Sequence, residues 1–149
     1  MVLITPATIS DIPALCELLT LLFTQEADFK PDLEAQRRGL THIINHSEVG
    51  LILVARQHDQ VVGMVNLLYT ISTALGSRVA LLEDMVVSPS ARGAGVGSQL
   101  LEQAIQSARV IGCKRITLLT DASNASAQCF YQKHGFTGSA MLPFRLLLN

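Results

Sequence analysis

The most informative residues of this chain form one stretch, Val87-Ser88-Pro89-Ser90-Ala91-Arg92-Gly93-Ala94-Gly95-Val96-Gly97-Ser98, between a predicted strand and a predicted helix. Its three glycines stand at alternate positions, where the backbone can approach a bulky anion. The first unpaired N–H groups of the following helix point at such an anion, and the helix dipole favours negative charge. Arg92 adds a charge-assisted donor. The stretch predicts a loop that binds phosphate or pyrophosphate, with a merely flexible turn as the alternative.

Two other phosphate-binding patterns do not match these glycines. A P-loop places Lys and then Ser or Thr after its glycines, and no such pair follows here. The dinucleotide pattern G-x-G-x-x-G has a different spacing. ATP and NAD are therefore disfavoured as ligands, and measured affinity for either would favour a nucleotide-binding protein instead.

Strand and helix patterns alternate on both sides of the loop. Strands are predicted at Val2–Thr5, Gly50–Arg56, Val61–Thr70, Val79–Val87 and Arg115–Thr120, with last strand material at Phe136–Thr137 and Phe144–Leu148. Helices are predicted from Ser10 or Asp11, from Pro31, from about Gly95 to Gly112, and from Asn124 to about His134, before Gly135. The residues His58-Asp59-Gln60 suit a hairpin connection. The order β-α-α-β-β-β-α-β-α-β predicts an α/β fold with a mixed sheet flanked by helices.

Size and composition indicate one domain spanning residues 1–149. Hydrophobic residues make up 49% of the chain and charged residues 15%, so we expect a well-filled core rather than disorder. The net charge of -1 and the scattered Lys and Arg residues argue against a nucleic-acid partner. Neither a signal peptide nor a membrane-spanning run is apparent, so we expect a cytoplasmic protein without a membrane partner. The three separated cysteines suggest no disulfide framework.

Two motifs resemble those of the GNAT family of N-acetyltransferases. Arg92-Gly93-Ala94-Gly95-Val96-Gly97 is similar to the acyl-CoA loop of the family, Arg/Gln-x-x-Gly-x-Gly/Ala, and follows the usual Val-x-Pro at Val87 to Pro89. Downstream, Asn124, Ala127 and Phe130-Tyr131-Gln132-Lys133-His134-Gly135-Phe136 resemble Asn-x-x-Ala-x-x-Phe-Tyr-x-Lys-x-Gly-Phe. The two motifs agree in order and separation, and the resemblance covers almost the whole chain.

The resemblance implies acetyl-CoA as the cosubstrate. Backbone groups of Met85, Val86 and Val87 would pair with the pantetheine arm, and the loop from Arg92 to Ser98 would hold the pyrophosphate. Asn124 would bond the arm from the other side. Ala127, Phe130 and Tyr131 complete the expected cofactor site.

Transfer of an acetyl group to an amine requires a base and an acid. Tyr131 matches the tyrosine that protonates the departing thiolate in many family members, or else it only packs against the thioester arm. Leu82-Glu83-Asp84 resembles the pattern of small-amine acetyltransferases, in which the glutamate is the base. We choose Glu83, with a structural hydrogen-bonding role as the alternative. Strand alternation places Glu83 and Asp84 on opposite faces unless a bulge intervenes.

Other polar residues give weaker indications. Glu26 and Asp28 could attract a cationic amine, although such charges are usually just solvated. His42 and His46 have i, i+4 spacing without a visible third ligand, so we expect no metal site.

The acceptor is expected to be a small-molecule amine more than a protein, and the sequence does not identify it. The parts expected to select it are the first two helices and a loop at Thr70–Arg78. The apolar end, Met141–Leu148, could pair across a homodimer interface or close the sheet of its own chain. The rival function is a catalytically silent acyl-CoA sensor or interaction module.

Overall fold

The computed structural model describes residues 2–25 and 30–149. It forms two compact units, one that ends at Leu119 and one that runs from Thr120 to Asn149. Glu26 and Asp28 lie outside the described residues, so their attraction for an amine stays a prediction, as does the single domain.

The first unit contains a sheet and three α-helices among its described residues. Its elements are β1 (Leu3–Pro6), α1 (Ile12–Gln25), α2 (Leu33–Asn45), β2 (Gly50–Gln57), β3 (Gln60–Ser72), β4 (Ser77–Val87), α3 (Val96–Val110) and β5 (Ile116–Leu118). The second unit contains α4 (Ala125–Lys133). These elements match the predicted order up to the last helix. The second helix begins later than predicted, because the side chain of Asp32, and not Pro31, caps it by accepting from Ala35 N at 3.2 Å.

The five strands lie in the order β1-β2-β3-β4-β5. The first four are antiparallel to their neighbours, whereas β5 runs parallel to β4. The sheet is therefore mixed, and the predicted α/β fold class is confirmed.

Tight hairpins join the central strands. The β2–β3 turn consists of His58 and Asp59, both at positive φ (52° and 63°), as a two-residue hairpin turn of this hand requires. The β3–β4 turn is shorter than the predicted loop at Thr70–Arg78. Ser72 pairs with Ser77, so the strands continue almost to the turn and leave only residues 73–76 outside the ladder. The predicted loop at Thr70–Arg78 is therefore too long, because cross-strand pairing extends both strands beyond their apolar residues.

Helices cover both faces of this sheet. Ile52, Val54, Met64 and Val86 belong to a buried cluster with the apolar residues of α1 and α2. Gly63 faces the other way, and a Cβ there would lie 2.9 Å from the Leu100 side chain of α3. Successive strand residues alternate between faces, so α1 and α2 lie on one side and α3 on the other.

The predicted last strand is wrong. Neither Phe136–Thr137 nor Phe144–Leu148 forms a strand, and Phe144 is 93% exposed. An apolar segment forms a strand only where the edge of a neighbouring strand accepts and donates its backbone hydrogen bonds. The composition of the segment does not reveal whether such an edge is available. The predicted end of α4 is confirmed, because Gly135 has φ 97° and Phe136 N donates to Tyr131 O at 3.1 Å.

One ion pair ties the start of α1 to the sheet. Asp11 is only 6% exposed, and its two oxygens accept from the guanidinium of Arg56 at 2.9 and 2.6 Å. Arg56 Nε also donates to Thr5 Oγ1 at 3.1 Å. The hydrogen bonds from Arg56, reinforced by the Thr8 N–H, hold the pKa of Asp11 below its usual value, against the opposing effect of burial.

Replacing Asp11 by Asn should lower the free energy of unfolding at pH 7 by about 2 kcal/mol, the scale of hydrogen bonds to a charged group. Because the folded pKa is depressed, this stabilisation is complete above the unfolded pKa of about 3.9 and is lost as pH falls through the folded value. Urea unfolding at pH 7 and at pH 3 measures it. Exposed Asp121, replaced by Asn, is the control, and equal losses in the two variants would contradict the prediction.

Candidate active site

A β-bulge interrupts β4 beside its two acidic residues. Met64 pairs with Val86 and Asn66 with Glu83, so a step of two residues on β3 matches a step of three on β4. Asp84 lies inside this step and has φ 55°, a left-handed conformation rare for a residue other than glycine. The bulge breaks the alternation, so Glu83 and Asp84 both line one cavity.

The two parallel strands also separate at this point. Among the described residues, β4 pairs with β5 only from Ala80 to Leu82. Beyond Leu82, the β4 edge that faces β5 has no strand partner in the described part of the chain, while the other edge still pairs with β3 at Val86 and Val87. The backbone of Met85, Val86 and Val87 therefore borders an opening in the sheet, and its pairing with a pantetheine arm stays a prediction.

The glycine loop leads from the end of β4 into α3. Gly93 and Gly95 have φ 84° and 79°, and a Cβ added to either would meet no atom within 4 Å. The first helical hydrogen bond runs from Gln99 N to Gly95 O at 3.1 Å. The N–H groups of Val96, Gly97 and Ser98 come before this bond in the chain, so the hydrogen bonds of the helix do not use them. The exposed Arg92 donates from Nε to Val87 O at 3.1 Å. The loop thus offers several donors and open space to an anion.

A cavity of about 270 Å³ lies between the sheet and the first two helices. Its lining residues are Leu19, Phe23, Lys30, Asp32, Ala35, Gln36, Gly39, Leu40, Ile43, Asn66, Leu68, Glu83 and Asp84. All of them belong to the first unit. α1 and α2, predicted to select the substrate, line this cavity, whereas no residue of the β3–β4 turn does.

Three neighbouring polar residues of the sheet, Glu83, Asp84 and Asn66, line the cavity, and we call them its polar end. Glu83 is exposed, whereas Asp84 is partly buried, and its desolvation raises the pKa of that carboxyl. Asn66 Nδ2 donates to Asp84 Oδ2 at 3.2 Å, which opposes the rise. Asn66 itself is 2% exposed, and its Oδ1 is buried without a hydrogen-bond partner in the described part of the chain.

Sequence reasoning missed Asn66. The available signal was an amide in the middle of the apolar strand predicted at Val61–Thr70, where a buried polar group is costly unless it is bonded. This oxygen is a buried acceptor without a donor among the described residues, on a residue that lines the cavity.

The later motif residues lie together on the second unit. Asn124 caps α4, and its Oδ1 accepts from Ala127 N at 3.0 Å. The ring of Tyr131 makes edge contacts with Phe130 and Phe136, at centroid distances of 5.3 and 5.8 Å. Asn124, Ala127, Phe130 and Tyr131 therefore share one short helix and its cap, while Glu83 and the glycine loop belong to the first unit.

The paired histidines of α2 interact with one another. The rings of His42 and His46 stack at 4.4 Å, and His46 Nδ1 lies 2.7 Å from His42 O. Across residues 2–25 and 30–149, no group of three or more His, Cys, Asp or Glu side chains could hold a metal ion. No helix in those ranges has the length and apolar character needed to cross a membrane.

Comparison with known proteins places the chain in a class. Residues 12–136 match the acetyltransferase (GNAT) family. An uncharacterised N-acetyltransferase of Bacillus subtilis is 33% identical over 77% of this chain and 78% of that protein. The aminoalkylphosphonate N-acetyltransferase of Salmonella typhimurium is 29% identical over 89% of this chain and 83% of its own length. In fold, a possible acetyltransferase from Clostridium difficile superposes with a TM-score of 0.89 at 14% identity, covering 100% of this chain and 99% of the other.

The chain belongs to the acetyltransferase (GNAT) family, and it is an N-acetyltransferase by class. The family resemblance carried by the two motifs is thereby confirmed. The roles of the individual site residues stay predictions.

Proposed function

We propose that this enzyme moves the acetyl group of acetyl-CoA directly to the primary amine of a small molecule. The observation that carries the proposal is the cavity lined by Glu83 and Asp84, two residues of the strand that leads into the glycine loop. The carboxylates supply a proton acceptor, and the loop supplies donors for an anionic cosubstrate. A cytoplasmic location stays a prediction.

The residues around the loop fit the phosphates of acetyl-CoA. At Gly93 and Gly95 no protein atom lies within 4 Å of an added Cβ, which leaves open space beside the loop for a pyrophosphate. The opening beside Met85–Val87 suits a pantetheine arm, whose amides can pair with strand backbone. Because Asn124 uses Oδ1 for its cap, Nδ2 would be its donor to the arm.

We assign the base to Glu83 on grounds of access. A base that collects a proton in each cycle must return it to solvent, and Glu83 is exposed at the cavity. Asp84 is partly buried and accepts a hydrogen bond from Asn66, which suits it to hold the amine. An alkyl ammonium has a pKa of about 10.4, so at pH 7 it must give up a proton before it can attack.

Tyr131 is proposed as the acid from its motif alone. The ammonium gives one proton to Glu83, and the neutral amine then forms the C–N bond while the thioester C–S bond breaks. Tyr131 gives a proton to the departing sulfur. The nitrogen then releases its second proton, which balances the proton that Tyr131 gave up. Burial raises the pKa of the Cys16 and Cys113 thiols, which reduces their thiolate fraction and disfavours these two cysteines as nucleophiles.

We expect the Tyr131→Phe variant to acetylate amines at least about 10-fold more slowly than the unchanged enzyme, because proton transfer to the leaving group is lost. Mass spectrometry of a panel of amines and peptides incubated with acetyl-CoA measures the product. The matched control is Tyr69→Phe, the other tyrosine, which lies under the guanidinium of Arg78.

The outcomes separate the proposed function from its rival. An unchanged rate in Tyr131→Phe would remove its role and leave the transfer intact. Normal acetyl-CoA binding without any acetylated product would instead favour the silent sensor.

A further inference from the structure

The lining of the cavity beside Glu83 and Asp84 indicates which kind of amine would fit there, an inference that rests on the proposed function. Its polar end offers acceptors. The orphaned Asn66 Oδ1 and the Asp84 carboxylate lie on adjacent strands, and Asn66 Nδ2 already donates to Asp84. A ligand that satisfies this end must bring N–H donors, and an ammonium brings three.

The remaining walls are mostly apolar. They come from α1, α2 and β3: Leu19, Phe23, Leu40, Ile43 and Leu68. Gln36 is polar, but its amide is already bonded, since Nε2 donates to Cys16 O at 3.3 Å and Oε1 accepts from Asp32 N at 2.9 Å. The part of the ligand beyond its nitrogen therefore meets hydrocarbon.

The charge of the lining opposes an anionic substituent. Lys30 is the one Lys or Arg among the described lining residues, against the carboxylates of Asp32, Glu83 and Asp84. Recognition of a phosphate or phosphonate normally uses several cationic or backbone N–H donors at one place. The cavity, at about 270 Å³, is also slightly smaller than the pockets of drug-sized ligands.

We infer that the acceptor is a small primary amine on an apolar chain or ring, without a phosphate or phosphonate group. Its nitrogen is held by Asp84 and by Asn66 Oδ1, and its apolar part lies against α1 and α2. Asn66 is a specificity-determining residue. This substrate class differs from the one in the name of the Salmonella relative.

Binding tests this inference separately from turnover. Calorimetric titration of the protein, with and without saturating CoA, compares 2-phenylethylamine and hexylamine with 2-aminoethylphosphonate. We expect the apolar amines to bind at least about 10-fold more tightly, which corresponds to about 1.4 kcal/mol. Equal or tighter binding of the phosphonate, or no binding of either apolar amine, would overturn the inference.

Two variants test the location. Gly39 lies in α2 on the cavity wall, and a Cβ there would meet no atom within 4 Å. Gly39→Leu should fill the cavity and weaken 2-phenylethylamine binding about 10-fold without loss of fold, because leucine favours a helix more than glycine does. Gly39→Ala is the matched control and should retain binding. Unchanged affinity in Gly39→Leu would place the ligand elsewhere and overturn the inference.

Asn66→Leu tests the polar end. It should weaken amine binding about 10-fold while acetyl-CoA binding is unchanged, and a urea midpoint verifies that the variant folds. Unaltered amine affinity would contradict the role of Asn66. Binding of apolar amines without their acetylation would support the cavity assignment but remove the proposed transfer. Acetylation and tighter binding of the phosphonate amine would support the proposed transfer but overturn the cavity assignment.

Discussion

Glu83→Gln is expected to lower kcat for acetyl transfer at pH 7 by about 100-fold, the lower range for loss of a general base. The affinity for acetyl-CoA should not change, because the glycine loop is untouched. Glutamine keeps the size of the side chain but cannot accept the amine proton at neutral pH. Steady-state kinetics with whichever amine the enzyme acetylates measures the effect.

The pH dependence identifies the cause of this loss. The variant depends on amine that is already neutral, so its rate should rise about tenfold per pH unit towards an amine pKa of about 10.4. The unchanged enzyme should level off at lower pH. Glu48→Gln, an exposed change away from the cavity, is the control. If Asp84→Asn loses kcat and Glu83→Gln does not, Asp84 is the base and our assignment is wrong.

Gly95→Val should raise the Kd for acetyl-CoA by about 100-fold, or about 2.7 kcal/mol. Gly95 has φ 79° and precedes the first turn of α3. A β-branched residue strains this backbone and places its side chain where the anion must approach the helical N–H groups. Calorimetry with acetyl-CoA provides the measurement.

Backbone strain alone would also destabilise the variant, so the control must carry the same strain elsewhere. Gly76 in the β3–β4 turn has φ 61° and open space around its Cβ position. Gly76→Val should cost a comparable amount of unfolding free energy, about 1 to 2 kcal/mol, and leave the affinity for acetyl-CoA unchanged. Equal Kd values for the two variants would contradict the role assigned to the loop.

The local parts of this structure were predictable from sequence because neighbouring residues determine them. The glycines of the loop and Gly135 stand where left-handed backbone is needed, and Asn124 stands where a helix needs a cap. The helices follow from their apolar spacing. These signals act over a few residues, so they can be recognised in the sequence without knowledge of how the rest of the chain folds.

Features that depend on distant partners were not predictable. The bulge at Asp84 arises from the register of β4 against β3. Alternation placed Glu83 and Asp84 on opposite faces unless a bulge intervened, and the sequence did not reveal whether one does. The orphaned oxygen of Asn66 depends on the same register. The apolar end from Phe144 to Leu148 has strand composition, but its fate depends on an edge that composition does not reveal.

The end Met141–Leu148 was predicted either to close its own sheet or to pair in a homodimer. Met141, Phe144 and Leu147 are all highly exposed within the chain. The homodimer stays a prediction, and equilibrium sedimentation decides it. A monomer at micromolar concentration would count against pairing.

The left-handed backbone of Asp84 has an evolutionary consequence. Holding a non-glycine residue at φ 55° costs about 1 to 3 kcal/mol of folding free energy, and interactions of the surrounding strands must offset this cost. Glycine would relieve that cost but would remove the carboxylate. Selection for heat resistance alone would therefore drive this position towards glycine, so thermostable variants recovered from a random library should be screened for activity before this position is accepted as neutral.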